Sequence, residues 1–334
     1  MLASEIIRRV KEIQVRTGRQ VADVLAGEYV SVFKGGGIEF EEVRPYVPGD
    51  DVRSIDWNVT ARVGQPFVKR YVEERQLTLM LMADISPSQE FGSGRRSKRE
   101  AAAELCALLA FSAIQNDDKV GLCLFHGGIE KFIPPRKGQK HALRVVREVL
   151  AHGQNTPEGR KQNQDTGTSL WQRLFNNWRK EKSRRRLSYR RGLRAADHGT
   201  DIGQAMEFLL SVSKRKSVCF LVSDFMDDDY QQALMTANRK HDVVAVLISD
   251  PRELEMPRVG LIALQDSENG VTRLYDTSSR SFKTSMSLAG EERVAALEQN
   301  LRRRGIDFIH IDASGSVVDP LVNFFRMREK RLRR

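Results

Sequence analysis

The chain has 334 residues, of which 40% are hydrophobic and 30% charged, and this length suits one large domain with additions or two domains. No window holds the roughly 18 consecutive apolar residues that a membrane helix needs. The first ten residues lack the apolar region of a signal peptide and instead predict an amphipathic helix. We therefore expect no transmembrane segment and a cytoplasmic location.

The net charge of +11 is concentrated in two segments. Residues 179–194 carry nine Lys or Arg and one Glu, a net +8, and residues 326–334 carry six Lys or Arg and one Glu, a net +5. The remainder of the chain is therefore close to neutral. Such basic segments suit anionic partners, although a solvated loop and a frayed terminus explain them equally well.

The chain contains three cysteines, which lie far apart in apolar contexts: Cys106, Cys123 and Cys219. No pair has the C-x-x-C spacing of a zinc or redox motif. We interpret all three as reduced thiols of the core, because free cysteine behaves as a small buried hydrophobic residue.

From residue 76 onwards, predicted strands alternate with predicted helices. Apolar runs bounded by turn residues predict strands at 77–84, 119–125, 218–222, 243–248 and 307–311, with a short extension at 130–133. Helical periodicity predicts helices at 97–116, 140–150, 201–212, 229–239, 291–304 and 319–328. The alternation predicts an α/β fold, a mostly parallel sheet flanked by helices. Ligands of such sheets bind beyond the carboxyl ends of the strands.

Some parts of the chain depart from this alternation. Residues 1–75 form a predicted N-terminal extension to an α/β domain at 76–334, and a basic insertion at about 152–198 interrupts that domain. We interpret the insertion as partly disordered. It contains a short predicted helix, because four apolar side chains have helical spacing: Trp171, Leu174, Phe175 and Trp178. Residues 259–264 and 271–275 predict a hairpin that turns at 268–270.

Oxygen-bearing side chains lie at three element boundaries. Asp84, Ser86 and Ser88 follow the first strand of the alternating part, Thr200 precedes a helix, and Asp224 follows the strand at 218–222. Carboxylate and hydroxyl oxygens suit a hard cation such as Mg²⁺, which usually takes one or two carboxylates. The arrangement D-x-S-x-S, then Thr, then Asp resembles the metal-ion-dependent adhesion site of von Willebrand factor A domains. That resemblance implies that all five residues bind Mg²⁺ or Mn²⁺ and that a partner's carboxylate completes the shell.

Other interpretations of these residues remain open. Thr166 and Thr168 compete for the role of the threonine loop, but Thr200 leads directly into the helix and strand that end at Asp224. Asp84 could instead be the nucleophile of a magnesium-dependent, phosphatase-like hydrolase. Such an enzyme needs a second Asp two positions later, and the Ser86 that stands there cannot act as a general acid near neutral pH.

A further motif precedes the first strand of the predicted domain. It reads R-x-Y-x-x-G-D-x-x-R-x-I-D-W, formed by Arg44, Tyr46, Gly49, Asp50, Arg53, Ile55, Asp56 and Trp57. This motif resembles the hallmark of the bacterial "domain of unknown function" family number 58, and the resemblance covers roughly residues 32–328. It implies a von Willebrand A-like (Rossmann-like) fold with a metal site. It also implies work with a MoxR-type AAA+ ATPase or its client in complex assembly or metal-centre maturation.

These observations together predict a non-enzymatic, metal-dependent protein-interaction module. The resemblance implies that many relatives carry N-terminal membrane spans; we expect none here, and no more than peripheral contact with a membrane. Within the motif, we interpret Arg53 and Asp56 as a buried ion pair and Trp57 as a buried ring, with a partner surface as the alternative. Five arginines beside Tyr189 form a predicted patch for an anionic partner: Arg184, Arg185, Arg186, Arg190 and Arg191. An acidic protein face or an anionic lipid surface suits this patch as well as nucleic acid does, and a nucleic-acid-binding accessory protein is the further alternative function.

Overall fold

A computed structural model of the chain describes residues 37–74, 77–94, 96–151, 200–265 and 271–332. Several predictions lie outside the described residues. These are the helix at 1–10, the insertion with its short helix and its arginine patch (Arg184, Arg185, Arg186, Arg190 and Arg191), the competing Thr166 and Thr168, and the hairpin turn at 268–270.

The N-terminal part of the structure contains two strands and one short helix, namely β1 (Gly37–Pro45), α1 (Trp57–Val63) and β2 (Phe67–Glu74). The strands of the remainder are β3 (Thr78–Asp84), β4 (Lys119–Phe125), β5 (Ile129–Arg136), β6 (Val218–Ser223), β7 (Asp242–Ser249), β8 (Leu261–Gln265), β9 (Thr272–Asp276) and β10 (Asp307–Asp312). Its helices are α2 (Lys98–Gln115), α3 (Gln139–Ala151), α4 (Ile202–Val212), α5 (Gln231–Lys240), α6 (Pro251–Leu254), α7 (Arg280–Arg303) and α8 (Val318–Leu332).

Six strands form a central sheet in the order β10-β7-β6-β3-β4-β5. All neighbouring pairs are parallel except β4 and β5, which are antiparallel. Parallel sheets are covered on both faces, and β3 accordingly is buried from Leu79 to Asp84. The predicted α/β fold, a mostly parallel sheet flanked by helices, is confirmed.

Alternate side chains of β3 enter two different hydrophobic clusters. Leu79 and Leu81 lie in one cluster with side chains of α2, α3 and α8, whereas Met80 and Met82 lie in the other with side chains of α4, α5 and α7. This is the period-two pattern of a strand that is buried on both faces. The sheet is therefore the middle layer, and its carboxyl-end edge is free to hold a site.

Helix α2 runs along the sheet and is buried on nearly all of its sides. Ala, Leu and Cys occupy most of its middle, which suits a helix surrounded by other elements. Its first turn has a capping box, in which Ser97 accepts from the Glu100 backbone N–H and the Glu100 side chain accepts from the Ser97 N–H. The box fixes the start of the helix and therefore the position of Lys98, its first residue.

All three cysteines are free and buried, as expected for core thiols. Burial raises the pKa of the Cys106 thiol to about 12, so the reactive thiolate is suppressed. No helix among the described ranges has the length and apolar character required to cross a bilayer.

The family motif lies in and around β1, α1 and β2, where β1 and β2 form an antiparallel pair. The guanidinium of Arg44 donates two hydrogen bonds to the Asp50 carboxylate, at 2.8 and 2.7 Å. That carboxylate also accepts from the Val47 N–H, and the Arg44 bond lowers the pKa of Asp50. Gly49 has a φ of +113°, which favours glycine. The pair Arg44–Asp50 therefore closes the loop that contains Tyr46.

The prediction for the second half of the motif is wrong. Arg53 is exposed, and the Trp57 side chain is 67% exposed. The carboxylate of Asp56 instead caps α1 by accepting from the Asn58 and Val59 N–H groups, and Lys69 lies 3.4 Å away. The physical reason is that the α1 N-terminus and Lys69 already use the Asp56 carboxylate, and the seven residues of α1 include no buried one.

Trp57→Ala is expected to change the free energy of unfolding by no more than about 0.5 kcal/mol, because exposed side chains away from special features contribute little. Thermal and urea unfolding followed by far-ultraviolet circular dichroism would measure this change. A loss above about 2 kcal/mol, as for a buried aromatic ring, would show that the ring is covered in the full chain.

Candidate metal centre

The candidate site lies where β3 and β6 end. These two strands are parallel neighbours, so their carboxyl ends meet at one edge of the sheet. Asp84 is the last residue of β3, Ser223 is the last residue of β6, and Asp224 follows it. After β3 the chain turns into a short 3-10 helix that starts beside Ser86 and contains Ser88. The fold thus brings both predicted carboxylates to one edge.

A series of hydrogen bonds, one of them from a backbone N–H, joins these residues. Asp84 accepts from the Ser86 N–H at 2.8 Å and from the Ser223 hydroxyl at 2.6 Å. The hydroxyl oxygens of Ser86 and Ser88 lie 2.9 Å apart. Ser88 then donates to Oδ2 of Asp224 at 2.7 Å. Four of the five predicted ligands therefore meet in one network.

Thr200, the fifth predicted ligand, is half-buried and lies at the same edge of the sheet. The next residue, Asp201, donates its backbone N–H to the His126 carbonyl at 2.9 Å. His126 directly follows β4, the other neighbour of β3. Asp201 also caps α4 by accepting from the Gln204 N–H. The hydrogen bonds that join the other four residues do not include Thr200, so the structure places it beside the network rather than within it.

Three residues of the site were not predicted from the sequence: Ser223, Lys98 and Glu253. Ser223 was assigned no role, yet it holds one oxygen of Asp84. The ammonium of Lys98 donates to Oδ2 of Asp224 at 3.1 Å and to Oε1 of Glu253 at 2.5 Å. The helix-start signal could have placed Lys98 at a helix N-terminus, but no sequence signal shows that its side chain reaches Asp224.

The electrostatics of the site are dominated by burial. Asp84 and Asp224 are each 3% exposed. Burial, with the nearby Asp224 charge as a second cause, raises the pKa of Asp84 to about 7, although the hydrogen bonds from Ser223 and Ser86 act in the opposite direction. Burial therefore favours a neutral Asp84 unless a cation lies nearby, and Lys98 supplies one positive charge.

The chemistry of the donor set fits Mg²⁺ or Mn²⁺. Two carboxylates and two hydroxyls offer only oxygen ligands, which hard cations prefer. Across the ranges that the structure describes, no group of three or more His, Cys, Asp or Glu side chains gathers as a metal site. A metal at this edge would therefore depend on the serine hydroxyls. The binding of a metal here stays a prediction.

Asp84→Asn is expected to remove a pH dependence of stability in metal-free buffer. The folded-state pKa lies above the ordinary 3.8, so the folded protein binds more protons than the unfolded chain between about pH 4 and pH 7. The Asp84 contribution to stability is therefore fully present below about pH 4 and is lost as pH rises to about 7, with a slope of at most about 1.4 kcal/mol per pH unit. Urea unfolding in EDTA across this range measures the slope, and an identical slope in both proteins would contradict the assignment.

The family model described as "Protein of unknown function DUF58" matches residues 42–296. The uncharacterized protein Rv1480 of Mycobacterium tuberculosis is 25% identical over 322 residues, which cover 96% of this chain and 89% of that protein. The uncharacterized protein YeaD of Bacillus subtilis is 28% identical over 111 residues, which cover 33% of this chain and 26% of YeaD.

Two solved structures are also similar. BatB from Bacteroides thetaiotaomicron has 15% sequence identity and a TM-score of 0.42, over 76% of this chain and 99% of that one. An aerotolerance-related membrane protein from Bacteroides fragilis has 13% identity and a TM-score of 0.43, over 77% of this chain and 100% of that one. The family model covers most of the present chain and includes the whole motif from Arg44 to Trp57. The protein therefore belongs to the DUF58 family of proteins of unknown function.

Proposed function

We propose that this protein is a non-enzymatic, metal-dependent interaction module of the von Willebrand A-like type. The observation that carries the proposal is the hydrogen-bonded convergence of Asp84, Ser86, Ser88 and Asp224 at the carboxyl edge of a parallel sheet. Ligands of such sheets bind at this edge. Thr200, which precedes α4 and lies beside the end of the neighbouring strand β4, completes the proposed set.

The chain's own residues divide the work of the proposed site. The hydroxyl oxygens of Ser86 and Ser88 would bind the cation, and Asp84 and Asp224 would balance its charge. A bound Mg²⁺ or Mn²⁺ supplies a centre that attracts a carboxylate oxygen of a partner. The absence of an Asp at position 86, where a phosphatase-like hydrolase would need its general acid, supports binding rather than catalysis.

The proposed partner is a MoxR-type AAA+ ATPase or its client protein, in the cytoplasm. One support is the resemblance to the family, which implies such an association. The other is the affinity of the proposed divalent metal for carboxylate oxygens. Under this proposal the ATPase or its client presents an Asp or Glu side chain to the metal. Complex assembly or the maturation of a metal centre is the proposed process.

The proposal is tested with the full chain and a purified MoxR-type ATPase from the same organism. Titration calorimetry with Mn²⁺ should show saturable binding. Capture of the ATPase by the immobilised protein should occur in Mg²⁺ and be lost in EDTA. Capture that persists unchanged in EDTA would reject metal dependence. Hydrolysis of p-nitrophenyl phosphate that needs Mg²⁺ and Asp84 would favour the hydrolase instead.

A salt series separates metal ligation from simple charge attraction. The net +8 of residues 179–194 favours anionic partners, and charge attraction in solution is screened over about 8 Å at physiological salt. Capture through the proposed metal should persist at high salt and respond to EDTA. Capture that fades with salt and ignores EDTA would assign the contact to the basic segment, and nucleic acid would then be the next ligand to test.

A further inference from the structure

The Lys98 ammonium contacts the Asp224 carboxylate, which is also a proposed ligand of the metal. Lys98 is the first residue of α2, and its side chain is 1% exposed. Its Nζ is 3.1 Å from Oδ2 of Asp224, and this same oxygen accepts the hydrogen bond from Ser88. The chain therefore places a positive charge of its own within the hydrogen-bonded network, at the junction between the serine hydroxyls and the second carboxylate.

We infer that Lys98 is an internal competitor of the divalent cation at Asp224, an inference that rests on the proposed function of the site. A positive charge beside a ligand carboxylate repels a second cation, and repulsion is stronger in a buried site than in water. The same ammonium pairs with Asp224 in the metal-free protein, where an unpaired buried carboxylate would be costly. Lys98 thus stabilises the metal-free site and lowers the affinity of the site for metal.

Glu253 controls the strength of this competition. Its Oε1 lies 2.5 Å from the Lys98 ammonium, while its Oε2 accepts from the Asp250 N–H in the capping box of α6. The carboxylate of Glu253 is therefore fixed by the helix that follows β7. It adds a second carboxylate to Lys98 beside Asp224, and so reduces the repulsion that a metal at Asp224 would meet. The Lys98–Glu253 pair therefore makes the affinity of the site for a divalent cation depend on the position of α6.

Two substitutions are expected to change Mn²⁺ affinity in opposite directions. Lys98→Gln removes the competing charge and should tighten Mn²⁺ binding by at least about 10-fold, the size of a modest electrostatic effect. Glu253→Gln leaves Lys98 with Asp224 alone and should weaken Mn²⁺ binding several-fold. Calorimetry on the full chain measures both, after thermal melts establish that each variant is folded. Glu253 is partly exposed, so its variant remains a test if Lys98→Gln does not fold.

The double variant distinguishes a positioning role of Glu253 from direct metal binding. If Glu253 acts only through Lys98, Glu253→Gln should have no effect on Mn²⁺ affinity in the Lys98→Gln background. An equal loss in both backgrounds would instead make Glu253 a metal ligand and overturn its assigned role.

The outcomes also separate this inference from the proposed function. If the wild type binds Mn²⁺ and Lys98→Gln binds it no more tightly, the inference is overturned but the metal site stands. If Lys98→Gln does not fold, unchanged or tighter binding by Glu253→Gln would overturn it in the same way. A wild type and a folded Lys98→Gln variant that both fail to bind Mn²⁺ would overturn the metal site and the inference together. Binding by Lys98→Gln alone would support the inference and show that Lys98 blocks the wild-type site.

Discussion

Asp84→Ala is expected to abolish the binding of Mg²⁺ and Mn²⁺, with a loss of affinity of at least about 100-fold. Loss of residues that merely orient metal ligands costs about 10–100-fold, and Asp84 is placed to be a ligand itself. The substitution removes one of two carboxylates and also the acceptor that holds the Ser223 hydroxyl and the Ser86 N–H. Calorimetry with Mn²⁺ is the direct measurement.

Asp312→Ala provides a matched control for this experiment. Asp312 is also the last residue of a strand in the central sheet, and its carboxylate likewise accepts from the backbone N–H two residues on, that of Ser314. It lies at the end of β10, three strands away from β3 in the sheet. We expect its substitution to leave Mn²⁺ binding unchanged. Equal losses in the two variants, or unchanged binding in Asp84→Ala, would reject the site.

Phe220→Ala is expected to lower the free energy of unfolding by about 3–5 kcal/mol, the usual cost of removing a buried aromatic ring. Phe220 lies in the middle of β6, fully buried in the cluster that contains Leu79 and Leu81 of the neighbouring strand. Domains are typically stable by only about 5–15 kcal/mol, so the variant should approach the limit of folding at physiological temperature. Urea unfolding followed by circular dichroism measures the loss.

The exposed Trp57 supplies the comparison for the core variant. Both substitutions remove an aromatic ring, but Phe220 is fully buried whereas Trp57 is 67% exposed. The ratio of the two stability losses therefore reports burial rather than side-chain size. Similar losses for the two variants would contradict the burial assigned to one of them.

The boundaries of β5 could not be predicted from the local sequence pattern. The sequence predicts only a short extension at 130–133, whereas the strand continues to Arg136 through Pro134 and Pro135. Proline normally argues against a strand because it lacks an N–H donor. β5 is the last strand of the sheet in the described part of the chain, and an edge position needs only one side of the backbone to pair. Position within the sheet, which local sequence does not contain, decided the length of this strand.

The sequence by itself determined the α/β alternation and the shared edge of Asp84 and Asp224. Apolar runs identify parallel strands, and parallel strands place their carboxyl ends together, so residues that follow two neighbouring strands must lie at one edge. This argument needs only periodicity and strand direction. It therefore correctly placed the D-x-S-x-S segment beside Asp224, although Ser88 and Asp224 are 136 residues apart in the chain.

Only the tertiary structure decided which other side chains enter that edge. Lys98 and Glu253 are separated by 155 residues along the chain. The Lys98 ammonium nevertheless donates to the Glu253 carboxylate, because α2 and α6 begin beside the same strand ends. The burial predicted for Trp57 was likewise wrong, since a motif shows which residues occur together but not what covers them. Burial and long-range ion pairs depend on the packing of distant elements, and packing is a property of the folded chain that local periodicity does not encode.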